Sequence, residues 1–122
     1  MKTAIVILSD PESGSGEAAA RMINGLAVAY DAKTAGEEVT VLFHGPGTRW
    51  PKLLLDQTHP GHAMFKALEN HVAGCSAVCA THFKADTAGF KLIEENMAPN
   101  PYGKGLPSLH RLRKQGYDIL TF

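Results

Sequence analysis

The opening run Ala4-Ile5-Val6-Ile7-Leu8 is apolar at every position. A strand with one face in water alternates apolar and polar side chains, so an unbroken run points to a strand covered on both sides, as in a parallel sheet wrapped by helices. The rest of the chain repeats the theme, short β-rich runs alternating with stretches of helical spacing, which is the pattern of an α/β protein. With 122 residues there is enough chain for one core but little for two, so residues 1–122 are expected to form a single three-layer domain. Its centre would be a mostly parallel sheet of about five strands with helices on both faces.

After the first strand a loop runs from Ser9 to Gly14. Ala19, Met22, Ile23, Leu26, Ala27 and Tyr30 then recur at helical spacing over 15–35, with Ser13 or Ser15 as N-cap, Glu17 in the first turn and Gly36 as the stop. The second strand is read over Glu38 to Phe43, ending at His44-Gly45-Pro46-Gly47, a turn that continues neither strand nor helix. Helices are expected near Trp50 to Asp56 and from Gly61 to Ala73, the second with Met64, Phe65, Leu68 and Val72 on one face. The run Ser76-Ala77-Val78-Cys79-Ala80 is taken as the third strand, with Cys79 at its carboxyl end and Thr81-His82 directly after it. Residues 86–97 read as helical, although Phe90 to Met97 could partly supply a fourth strand that is otherwise hard to place. A loop over 98–103, a helix from Pro107 to Gln115 and a last strand from Tyr117 to Phe122 complete the chain.

Composition narrows the function. The 12 basic and 12 acidic residues balance, leaving no electrostatic footprint for nucleic acid. Ser9-Asp10 interrupts the N-terminal apolar run before it reaches the length of a signal peptide or membrane span, so a cytoplasmic protein is expected. Cys75 and Cys79, four apart in one strand, would have α-carbons roughly 13 Å apart, beyond the roughly 7 Å that a disulfide tolerates. Cys75 is assigned to the core. Cys79 at the carboxyl edge of a parallel sheet would instead lie where ligands and reactive groups collect. A neighbouring imidazole favours thiolate formation, which makes His82 and His44 the candidate partners. The contrary reading is a small buried hydrophobe, since free cysteine is among the most buried residue types.

Other motifs carry less. Gly14-Ser15-Gly16 with Ala19 fits G-x-G-x-x-A, but the glycines stand too far from the strand, and the second strand ends in His44 rather than an acidic residue, so a dinucleotide site is not favoured. The start of the first helix still offers free N–H groups to an anion. Ser9, Asp10, Ser15, Gly45, Trp50 and Thr81 are therefore the candidate ligand-binding residues, with Trp50 read either as core filler or as an oligomer contact. His59-Pro60-Gly61-His62 cannot form the i, i+4 pair of a zinc protease helix, and Cys79, His82 and His44 lack a fourth strong ligand, so no metal is assigned. No nucleophile elbow supports a serine hydrolase. The cluster His110-Arg111-Leu112-Arg113-Lys114 is a solvated face with cations near a helix C-terminus.

The order of these features resembles the DsrE/DsrF-like family, which includes YchN-like and sulfur-relay, TusD-type proteins. The likeness lies in the opening strand with its Ser-Asp edge and long first helix, the second strand running into a glycine turn (Val39 to Gly47), the strand carrying Cys79, and the ending Gly105 to Tyr117. It implies a compact α/β domain assembled as a homo-oligomer, a trimer or hexamer, or in mixed complexes, and a cysteine matching Cys79 that carries sulfane sulfur as a persulfide. An enzyme of this kind would be a sulfurtransferase with a cysteine persulfide intermediate. Its partners would be persulfide donor and sulfur-acceptor proteins, with no metal or organic cofactor. The rival expectation is a non-catalytic oligomeric binding module with a small-anion or nucleotide pocket at the carboxyl edge of the sheet.

Overall fold

In the computed structural model, residues 1–93, 97, 99–104 and 106–122 are described. Five strands, β1 (Lys2–Ile7), β2 (Glu38–Phe43), β3 (Val72–Ser76), β4 (Leu92–Ile93) and β5 (Tyr117–Thr121), form one all-parallel sheet in the order β4-β3-β2-β1-β5. β1 is an interior strand, in register with Glu38–Phe43 on one side and with 117–121 on the other. That position accounts for its apolar run: Ala4, Ile5, Val6 and Ile7 are wholly buried.

The long helix α1 (Gly16–Thr34) covers one face. Ser15 caps it, its Oγ accepting the Glu17 N–H at 3.1 Å, and Gly36 beyond its end adopts the left-handed φ of +77° that stops the helix. Met22, Leu26 and Ala29 pack onto Ile5, Ile7, Val41 and Phe43. Gly25 permits this approach, because a Cβ there would stand 2.4 Å from Ile7 Cδ1. Two short helices, α2 (Trp50–Leu54) and α3 (His62–Ala67), add Trp50, Leu54 and Phe65 to the same core. On the opposite face a smaller cluster gathers Ala4, Leu42 and Ile93 beneath Leu112 of α5 (Leu109–Lys114). The fold is thus the α/β class expected from the sequence, with helices on both faces.

Four local expectations are corrected. The third strand is 72–76, not 76–80: Ser76 ends it and caps a further helix, α4 (Ala77–His82), which holds Cys79. A short apolar run does not distinguish a buried strand from a buried helical turn, and the deciding signal is the cap, with Ser76 Oγ accepting the Cys79 N–H at 3.3 Å. The helix expected to reach Ala73 stops at Ala67, because a 3-10 turn over Glu69–His71 leads into β3. Residues 86–93 are not helical. They form turns followed by β4, so the stretch from Phe90 to Met97 partly supplies the fourth strand, at Leu92–Ile93, while 94–96 lie outside the described residues. Finally, the glycine turn after β2 does continue as helix, of 3-10 type, over Gly45–Arg49.

Candidate functional site

Because the strands are parallel, the segments leaving β1, β2 and β3 emerge at one edge of the sheet. From β2 the chain passes through buried His44 into Gly45, whose φ of +54° favours glycine. Gly47 then lies so close to the end of β1 that an added Cβ would stand 2.1 Å from the Ile7 carbonyl oxygen. Thr48, fully buried, donates its hydroxyl to the Gly45 carbonyl at 2.7 Å and fixes the turn.

Arg49, not among the expected site residues, joins the three segments. Its Nη1 donates to both carboxylate oxygens of Asp10 (3.0 and 3.1 Å) in the loop after β1 and lies 3.2 Å from Glu12. Its Nε and Nη2 donate to the Phe83 carbonyl (3.1 and 2.8 Å) at the end of α4. Trp50 is core rather than exposed, and its Nε1–H donates to the Ser9 carbonyl at 2.8 Å. A cation following a glycine turn, with Asp10 and Glu12 on the facing loop, was the available signal for this clamp. Sequence alone does not say which loops meet.

α4 packs against the Gly45–Arg49 turn. Cys79 therefore belongs to the carboxyl edge, but on the helix after β3 and not at the strand end. Only 5% of its surface is exposed. Its carbonyl accepts the Phe83 N–H at 2.9 Å, so the backbone beyond Cys79 is engaged in helix and does not present a row of N–H groups to an anion. Cys75, wholly buried in β3, points its thiol at the Thr48 carbonyl, 3.7 Å away. Burial, reinforced by the nearby Cys79 thiol, pushes its pKa up to about 12, so it stays protonated and unreactive at neutral pH. Because β3 ends at Ser76 and Cys79 lies on the helix that follows, the strand-based separation of the two free thiols does not apply.

The two candidate histidines differ sharply. His44 is 5% exposed, and its Nε2 has no hydrogen-bond partner among the described residues. Desolvation lowers its pKa to about 4, so it is a neutral imidazole with one unengaged nitrogen, directly before the 3-10 turn that packs against α4. His82, at the last position of α4, is exposed and stacks on Tyr102, with ring centroids 4.5 Å apart and planes inclined by 21°. Gly103, beside it, comes so close to Val78 that an added Cβ would stand 2.8 Å from Val78 Cγ2. Residues 102–103 therefore lie against α4.

Of the expected ligand residues, Ser9, Asp10 and Ser15 line a shallow cavity of about 250 Å3 at the start of α1. Asp10 is occupied by Arg49 and Ser15 by its capping bond. Gly45 faces Leu8 and Phe83, and exposed Thr81 donates its hydroxyl to the Ala77 carbonyl at 3.2 Å. Trp50 and Thr81 thus lie outside that cavity. Among the described residues no three His, Cys, Asp or Glu side chains gather as metal ligands, and no helix is long and apolar enough to cross a membrane.

His44 makes stability depend on pH. Its folded pKa lies below the ordinary 6.5, so the unfolded chain takes up the proton first as pH falls, and stability is lost from about pH 6.5 down to about 4. The full contribution is about 3 kcal/mol, of which about 2 falls between pH 7 and 5. Urea unfolding at those two pH values should show the pH-dependent loss shrinking by that amount in His44→Leu. An equal loss in both proteins would contradict a buried neutral imidazole.

These features define an all-parallel α/β domain with a sheltered thiol beside the segments that leave the central strands. The chain belongs to the DsrE/DsrF-like family, whose pattern matches residues 1–122. It is also similar to the uncharacterized protein MJ0733 of Methanocaldococcus jannaschii, 29% identical over 101 residues, which cover 81% of this chain and 78% of that protein. No solved structure matches significantly.

Proposed function

We propose that this protein is a sulfur carrier, or a sulfurtransferase, that holds sulfane sulfur as a persulfide on Cys79 and passes it to a partner. The observation that carries the reading is the division of labour between the two thiols: Cys75 is held protonated in the core, whereas Cys79 lies on α4, beside the turn that follows neutral His44. The Cys79 thiolate attacks the outer sulfur of a donor persulfide. A new S–S bond forms on Cys79, the donor's own S–S bond breaks, and its inner sulfur leaves as a thiolate. Transfer to the acceptor repeats the exchange in the other direction. Exposed His82 takes up the Cys79 proton and returns one to the departing thiolate, while neutral His44, its Nε2 unengaged, serves as a hydrogen-bond acceptor that stays uncharged. Neither metal nor organic cofactor is needed for this exchange. The working form is a cytoplasmic homo-oligomer, a trimer or hexamer, that meets persulfide donor and sulfur-acceptor proteins.

The shelter of Cys79 favours a second reading, a non-catalytic oligomeric binding module with a small-anion or nucleotide pocket at the carboxyl edge of the sheet. Cyanide separates the two, since it removes sulfane sulfur as thiocyanate. After incubation with polysulfide and desalting, the carrier releases about one thiocyanate per chain, and Cys79→Ser releases none. No thiocyanate from the unaltered protein, with Cys79 also refusing alkylation until unfolding, leaves the binding module.

A further inference from the structure

A second cavity, of about 510 Å3, opens beside α3, the Glu69–His71 turn and the segment entering β4. None of its lining residues belongs to the segments around Cys79. Its floor is aromatic: Phe65 and Phe90 lie with ring centroids 5.7 Å apart and planes inclined by 31°, and both pack edge-on against Phe43, at 6.1 and 6.3 Å. The floor is thus continuous with the main core. A flat ring laid on such a pair gains apolar contact and a favourable ring geometry.

The rim is cationic. Lys66 pairs with Glu69 at 2.9 Å, whereas Lys91 has no carboxylate or carbonyl partner among the described residues. The Lys91 backbone is anchored, because its carbonyl accepts the Cys75 N–H at 3.1 Å and stands 2.6 Å from where a Gly74 Cβ would be. That anchoring sets the root of an ammonium with no such partner among the described residues at the mouth of an aromatic floor. His62, also on the rim, donates Nδ1–H to the Leu54 carbonyl at 2.7 Å, which leaves Nε2 as the ring's other hydrogen-bonding atom. The volume falls within the range of small-molecule sites, and a few polar groups around an apolar floor are what such sites use to orient a ligand.

We infer that this cavity binds a small aromatic carboxylate, its ring on Phe65 and Phe90 and its carboxylate on Lys91. The inference does not depend on sulfur chemistry at Cys79. A matched pair of probes tests it, 2-naphthoate and neutral 2-naphthamide, titrated while backbone amide resonances are followed by NMR. The naphthoate should bind about tenfold more tightly than the amide, the difference made by a hydrogen bond to a charged group. Its shifts should centre on Phe65, Phe90 and Lys91. Lys91→Gln, a change on the rim, should erase the preference for the acid while leaving amide binding unchanged. Phe90→Leu should weaken both probes. Failure of both to bind at millimolar concentration, equal binding of acid and amide, or a preference that survives Lys91→Gln would each overturn the inference.

Discussion

Gly47→Ala is expected to destabilise the protein by about 3 kcal/mol or more, with loss of the folded state at physiological temperature as the extreme outcome. The added methyl would stand 2.1 Å from the Ile7 carbonyl oxygen, 2.8 Å from the Ile7 carbonyl carbon and 3.2 Å from Leu8 Cα. All three are backbone atoms of β1 or its exit, so no side chain can rotate away. Relief requires the turn to lift off β1. The Ile7 carbonyl also accepts the His44 N–H at 3.0 Å, so lifting it breaks the bond that continues the β1–β2 ladder into the site. Gly16→Ala is the control. It lies at the first position of α1 with open space around it, and alanine there should be neutral or slightly stabilising. Denaturant unfolding of the two variants side by side makes the comparison, and equal stabilities would contradict the close approach.

The second large effect is at Arg49. Truncation to alanine removes the donors from the Asp10 carboxylate and the Phe83 carbonyl at once, at a cost of about 2 kcal/mol, moderated because the Asp10 side chain is partly exposed to water. The loss is directional. α4 is a short helix whose C-terminal end is held by this guanidinium, so releasing Phe83 loosens the element that shelters Cys79. Alkylation of Cys79 should accelerate by about tenfold, as expected when an opening becomes about 1.4 kcal/mol easier. Arg49→Lys should recover only part of either effect, because an ammonium cannot span Asp10 and Phe83 with a planar fork of donors. Unchanged thiol reactivity in Arg49→Ala would mean that the clamp does not govern access to Cys79.

What the sequence disclosed and what it hid have a common physical origin. Elements with a long periodic signal were legible: β1 from its unbroken apolar run, α1 from its spacing and Ser15 cap, β2 and β5 from their β-rich runs and glycine boundaries. The errors fell where a few residues decide. In Ser76-Ala77-Val78-Cys79-Ala80 the apolar character suits a buried strand and a buried helical turn equally, and one serine cap tips the balance. The same shift moved Cys79 off the strand end and onto α4. His44 was assigned to the carboxyl edge because it directly follows β2, and it lies there. Its unpartnered nitrogen, however, is a property of tertiary burial that no local pattern records. Arg49 escaped notice for the same reason: its partners, at 10, 12 and 83, are brought together only by the parallel order of the sheet.

The most direct test of the account is the intact mass of the protein after exposure to a small-molecule persulfide, with Cys79→Ser and Cys75→Ser measured alongside. The account predicts a gain of about 32 Da per sulfur atom in the unaltered protein and in Cys75→Ser, and none in Cys79→Ser. A gain that persists in Cys79→Ser, or no gain in any of the three, would contradict the assignment of Cys79 as the sulfur-bearing residue.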